Sequence, residues 1–180
     1  KNVLLLPIHF SGDSETYYLQ FDTGSPYTLF YSQSIKNIKG ITVTNDRAKS
    51  SFSIGKTKIT SDKFKIFNQN QKDKKTDTLK IIGTIGADIL ESRKTIINFK
   101  EKYVQFNLSK EPSQFQDRLF DFKFKKRKII INGFLKGKEE KFLFDSGTSA
   151  YELLTNKEVW EDLKINNSKL IIEKSQSWQN

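Results

Sequence analysis

The chain has 180 residues, enough for one domain or two small lobes with a real core. It is 36% hydrophobic and 13% aromatic, with 15 Phe, which excludes a disordered polypeptide. With no Cys and one His, disulfides, thiolate catalysis, Cys-based zinc sites and His-rich metal centres are excluded, and the one His9 reads as a strand residue rather than a catalytic base. The net charge of +10 comes from Lys spread along the whole chain, which reads as solvated surface rather than a nucleic-acid footprint, so no nucleic-acid partner is expected. No apolar run reaches membrane-spanning length. The run 3–6 is too short for a signal-peptide core, and the chain begins inside a strand pattern, as expected where a targeting segment has been removed.

In chain order, residues 3–10 and 17–21 alternate as two strands around the polar turn 11–14, and His9 is a strand residue. Asp22-Thr23-Gly24-Ser25 is a tight loop, followed by a strand over 27–31 and a short helical turn over 32–38. Short strands at 41–44 and 52–54 flank a connection over 45–50, and 56–67 continues the β pattern. Residues 68–78 are a polar, Lys-rich loop. The run Ile81-Ile82-Gly83-Thr84-Ile85-Gly86 reads as a buried strand with close backbone neighbours, and 87–92 as a helical turn. A hairpin over 95–107 and a polar linker over 110–118 complete the first half.

The opening pattern then returns. Phe122 and Phe124 alternate with Lys in an exposed strand leading into a turn, residues 129–135 and 141–144 are strands around the turn 136–140, and Asp145 follows. Residues 151–154 match 27–30. Residues 156–163 suit a helix, with Thr155 as N-cap and Glu158 three residues on. A last strand is expected at 169–173. The repeat has a long period, so it predicts two related lobes rather than a solenoid: 1–109, the linker 110–118, and 119–180. The second lobe is incomplete, because nothing after Asp145 corresponds to the glycine strand 81–86. The expectation is that the intact protein carries about 50 to 70 further residues, judged from normal lobe sizes.

The repeated unit is Phe21-Asp22-Thr23-Gly24-Ser25 and Phe144-Asp145-Ser146-Gly147-Thr148. One such tetrapeptide is no more than an Asx-type turn. Two, each after Phe and between strands, point to a shared site. Gly24 and Gly147 allow a tight turn that brings backbone N–H groups towards the carboxylate. Thr23 and Ser146 can reach across to the partner loop, and Ser25 and Thr148 can donate to the outer oxygen of their own aspartates. Two carboxylates within hydrogen-bond reach share a proton. The ionised one can then draw a proton from water, and the protonated one can polarise a carbonyl.

These loops, with Pro26 after the first and Ser149 after the second, resemble the active-site loops of pepsin-like and retropepsin-like aspartic proteases. Gly83-Thr84-Ile85-Gly86-Ala87-Asp88-Ile89-Leu90 resembles the strand that backs the catalytic loop in that family, with Ile85 and Gly86 at its end. The hairpin from Thr95 to Phe99 and beyond resembles the closing strands of a retropepsin-like lobe. The resemblance implies an all-β, bilobal acid-protease fold, with a retropepsin-like first lobe and an incomplete second lobe. It implies hydrolysis of peptide bonds in a peptide or protein substrate by a water between Asp22 and Asp145, with no cofactor and no metal. It also implies a monomer, since both aspartates lie in one chain, and an extracytoplasmic location, periplasmic or secreted.

The segment in the place of the family's substrate-covering hairpin, 41–54, has room only for a short hairpin and lacks the usual tyrosine. A short cover excludes water less well. The alternative reading is therefore a catalytically weak peptide-binding protein that keeps the cleft. A two-carboxylate glycosidase also uses paired acids, but it does not account for the matched Asp-Ser/Thr-Gly loops.

Overall fold

The computed structural model describes residues 3–68, 79–148 and 153–165. The chain divides into two compact units, Lys1–Ala150 and Tyr151–Asn180. The first unit is built almost entirely of strands. They are β1 (Leu5–Phe10), β2 (Tyr17–Phe21), β3 (Leu29–Tyr31), β4 (Ile41–Thr44), β5 (Arg47–Ile54), β6 (Thr57–Phe67) and β7 (Ile81–Ile85), then β8 (Ile96–Asn98) and β9 (Tyr103–Gln105), then β10 (Phe122–Lys125), β11 (Lys128–Leu135) and β12 (Lys138–Leu143). The protein is all-β apart from short 3-10 turns and one helix among the described residues, α1 (Lys157–Leu163), in the second unit. Among the described residues no helix is long and apolar enough to cross a membrane.

Strands β1-β2-β7-β3-β6-β5 pair in that order, and β5 pairs back onto β1 through His9 and Ser53, so six strands close a barrel with β4 added on β5. Closure follows from alternation. Strand β1 buries Leu6, Ile8 and Phe10, and β2 buries Tyr17, Leu19 and Phe21. Inside, Phe30 and Phe52 are fully or almost fully buried, and Phe10, Phe30, Phe52 and Phe64 meet edge to face or tilted at 5.3–6.2 Å between centroids. Each buried ring contributes about 2–3 kcal/mol by leaving water.

Several expectations are corrected. The connection expected over 45–50 shrinks: β5 starts at Arg47, and the β4–β5 turn is only Asn45-Asp46, with Thr44 opposite Arg47. The strand was hidden because its inward positions there are Ala48 and Ser50, small residues that give no apolar signal. Residues 32–38 form hydrogen-bonded turns, with Ile38 N donating to Ile35 O at 3.2 Å, pinned by buried Ile35 and Ile38. The turn expected at 136–140 shrinks to Lys136-Gly137, both with positive φ, the geometry of a tight hairpin. The cap of α1 is Asn156 rather than Thr155: its side chain accepts from Val159 N at 2.9 Å. Leu153 and Leu154 lie in no strand. Most of the loop expected at 68–78 and the strand expected at 169–173 fall outside the described residues. Residues 110–118 lie within the first unit, and Ser113–Arg118 makes a 3-10 turn.

Strands β10, β11 and β12 form a separate three-stranded antiparallel sheet, and β8–β9 a two-stranded one. Phe99, after β8, packs edge to face against Phe144 at 6.5 Å, which ties the small hairpin to the residue before Asp145.

Candidate active site

The first loop leaves the end of β2 and re-enters the barrel as β3. Strand β7 runs between these two, parallel to β2 and antiparallel to β3. This inserted strand supplies the backing. Asp22 N donates to Ile85 O at 2.9 Å, Ala87 N donates to Ser25 O at 2.7 Å, and Gly86 N donates to Thr28 Oγ1 at 3.2 Å. Gly86 lies so close that an added Cβ would sit 2.4 Å from the Tyr27 carbonyl carbon. Loop and strand thus meet backbone to backbone, and the buried polar groups between them are paired.

The second loop follows β12. Phe144 N donates to Ile129 O at 2.9 Å, so β11 carries this loop up to Asp145. The two loops then meet. Thr23 Oγ1 donates to Phe144 O at 2.8 Å and accepts from Ser146 N at 3.0 Å. Ser146 Oγ donates to Phe21 O at 3.1 Å and accepts from Thr23 N at 3.0 Å. Both side chains are buried, Thr23 completely. Each hydroxyl therefore spans the gap in both directions, and the two halves of the exchange mirror one another.

This exchange sets the carboxylates side by side. An added Cβ on Gly24 would lie 2.4 Å from Asp145 Cγ, and one on Gly147 would lie 2.3 Å from Asp22 Cγ. Each carboxylate rests on the glycine of the opposite loop, where any side chain would displace it. Asp22 Oδ1 accepts from Gly24 N at 2.9 Å and Ser25 N at 3.2 Å, and Asp145 Oδ1 accepts from Gly147 N at 2.9 Å. Burial, then the charge of Asp145, then a hydrogen bond with the Asp145 side chain push the Asp22 carboxyl up to about 6, against the opposing pull of the Ser25 and Gly24 amides. Such a pair holds one proton between two oxygens up to about pH 6.

The outer hydroxyls are placed differently from expectation. The Ser25 hydroxyl proton goes to Tyr27 O at 2.8 Å, and that of Thr148 to the Asp145 backbone carbonyl at 3.2 Å. Each stiffens its own loop, and backbone amides do the work at the carboxylates instead.

Asp88 was not singled out from the sequence. It accepts from Thr28 N at 2.9 Å and Thr28 Oγ1 at 2.7 Å, and Thr28 in turn accepts from Gly86 N. A carboxylate at the start of the 3-10 turn Ala87–Leu90 thus fixes the far side of the first loop. Its signal was an acid two residues after the glycine that ends an apolar strand. Tyr31 Oη and Thr84 Oγ1 form a second buried link between β3 and β7, at 2.9 Å.

No protein-family model matches this chain, and no curated protein or solved structure does.

Proposed function

We propose that the chain is an aspartic endopeptidase of acid-protease architecture, in which the barrel is the first lobe and the β10–β12 sheet begins the second. The observation that carries this reading is the reciprocal exchange between Thr23 and Ser146, with each carboxylate seated on the opposite glycine. A structural turn needs neither symmetry nor two adjacent acids; a site that shares one proton needs both. In the proposed reaction the ionised member of the pair takes a proton from a water held between Asp22 and Asp145. The oxygen of that water attacks the peptide carbonyl carbon while the protonated member gives its proton to the carbonyl oxygen. Collapse of the tetrahedral intermediate breaks the C–N bond: the proton taken from water passes to the departing nitrogen, and one hydroxyl of the intermediate returns its proton to the other aspartate as the new carbonyl forms, which restores the singly protonated pair.

The test is cleavage of an unfolded protein at mildly acid pH. Asp22→Asn and Asp145→Asn should each reduce turnover by at least about 1,000-fold with the fold intact, because the pair acts as one unit. Near-normal cleavage by either variant would reject the shared-proton mechanism. One observation favours a weakly catalytic peptide binder instead: the hairpin β4–β5 turns in two residues, and β4 is exposed along most of its length. In that case the wild type would bind unfolded peptides and hydrolyse them only slowly.

A further inference from the structure

We propose that Arg127 is a positioning residue for the two aspartate loops, fastening the turn between β10 and β11 to the segment that carries Asp22. The proposal rests on the reading of those loops as one acid–base site.

Arg127 occupies a two-residue turn in which both Lys126 and Arg127 have positive φ, the geometry of a tight hairpin. Its Nε and a terminal nitrogen donate in parallel to the two oxygens of Glu91, both at 2.9 Å. The guanidinium holds the Glu91 carboxyl below its ordinary range. The same guanidinium carbon lies 4.9 Å from the centre of the Tyr27 ring, which also takes Lys65 Nζ at 3.8 Å.

Each of these partners is tied to one of the two loops. Glu91 closes the 3-10 turn behind the first loop, its N–H donating to Asp88 O. Tyr27 belongs to the first loop itself, and its carbonyl accepts from Ser25 Oγ. On the other side, Arg127 is two residues before Ile129, whose carbonyl holds Phe144, the residue before Asp145. A planar fork on Glu91 and a cation–π contact with Tyr27 hold the turn from two sides, which a single ion pair on flexible stems would not. The turn is therefore a second strap between the loops, placed outside the buried Thr23–Ser146 exchange.

The experiment is an NMR titration of the Asp22 carboxyl carbon in the whole protein, comparing wild type with Arg127→Gln and Tyr27→Leu. If the strap sets the spacing, Asp145 draws away in both variants and Asp22 titrates lower, by roughly half a unit to one unit. The sign discriminates, because loss of a nearby cation alone can only raise a carboxyl pKa. Tyr27→Leu leaves every charge in place and decides the matter if Arg127→Gln fails to fold. An Asp22 titration unchanged or raised in the folded variants would overturn the proposal. Peptide hydrolysis, measured in parallel, should show kcat reduced about 5- to 20-fold with KM little changed, as expected for misplaced groups. Absence of hydrolysis by the wild type would reject the peptidase reading and leave the titration to judge the strap.

Discussion

The two aspartate loops have nearly the same sequence and very different supports. The first sits at the mouth of a closed barrel, and strand β7 pairs with the strands on both sides of it. Behind it, Thr28, Asp88 and Gly86 pair with one another. The second hangs from the end of an open three-stranded sheet, where β10 is exposed along its length and Phe134 and Leu143 are open to solvent. Among the described residues no strand backs it as β7 backs the first. Its order comes from β11, from Phe99 against Phe144, and from the first loop. One loop is thus templated by its own fold and the other largely by its twin.

Glycine substitutions break that comparison most sharply. Gly83, in β7, packs so closely that an added Cβ would lie 2.2 Å from Leu29 O, backbone against backbone. Gly83→Ala should cost at least about 3 kcal/mol, because neither side can yield without opening the barrel. Gly133, in β11, meets only the edge of the Phe142 ring, at 3.1 Å. That ring can turn aside, and Gly133→Ala should stay within about 1 kcal/mol. Urea unfolding of the two variants measures the contrast; equal losses would mean that the two supports are equally rigid.

Removal of the shared hydroxyl comes next. Thr23→Val keeps the shape but strands Phe144 O and Ser146 N in a buried place. The cost should be about 2–4 kcal/mol, and it should loosen residues 144–148 more than the barrel. Amide hydrogen exchange would show this as lost protection after β12 with protection in β2 and β7 retained.

The effect of pH is smaller. Asp22, raised to about 6 in the folded protein, returns to about 3.9 in an unfolded chain. Between those values the native state binds more protons, so its stability is full below about pH 4 and falls as pH rises through about 6. After solvent screening the loss is on the order of 1–2 kcal/mol. Denaturation at pH 4 and pH 7 should reveal it, and Asp22→Asn should remove the difference. Hydrolysis should decline over the same upper limb, as the pair loses its shared proton.

The outer hydroxyls give the smallest effects. Ser25→Ala and Thr148→Ala each delete one exposed local bond and should change stability by less than about 1 kcal/mol. A large effect at either would mean that its hydroxyl reaches the carboxylate after all.

The parts that were legible in the sequence are those with strong chemical contrast. The doubled Phe-Asp-hydroxyl-Gly loops stood out, as did the apolar run at Ile81–Ile85 and the alternation of β1 and β2. The length of β5 was not legible, because Ala48 and Ser50 face inward without an apolar signal; Ser50 is buried only because its hydroxyl finds Gly40 O. The roles of Asp88, Glu91 and Arg127 were hidden for another reason. Charged residues are common in this chain, and only the three-dimensional path brings position 127 to positions 27 and 91. The cross-loop reach of Thr23 and Ser146 could be anticipated from motif symmetry, whereas the local backbone bonds of Ser25 and Thr148 depend on a loop curvature that composition does not encode.

The exchange between Thr23 and Ser146 joins residues 123 positions apart, and that separation orders events on the ribosome. At typical synthesis rates, roughly 6 to 25 s pass between the emergence of one hydroxyl and the other. Every strand of the barrel has been synthesised by the end of that interval, so the first loop should take shape while Thr23 still has water for a partner, and the second loop should then meet a surface already formed. Nascent chains arrested before residue 146 should accordingly present a folded barrel with one unmet hydroxyl, waiting for the segment that completes it.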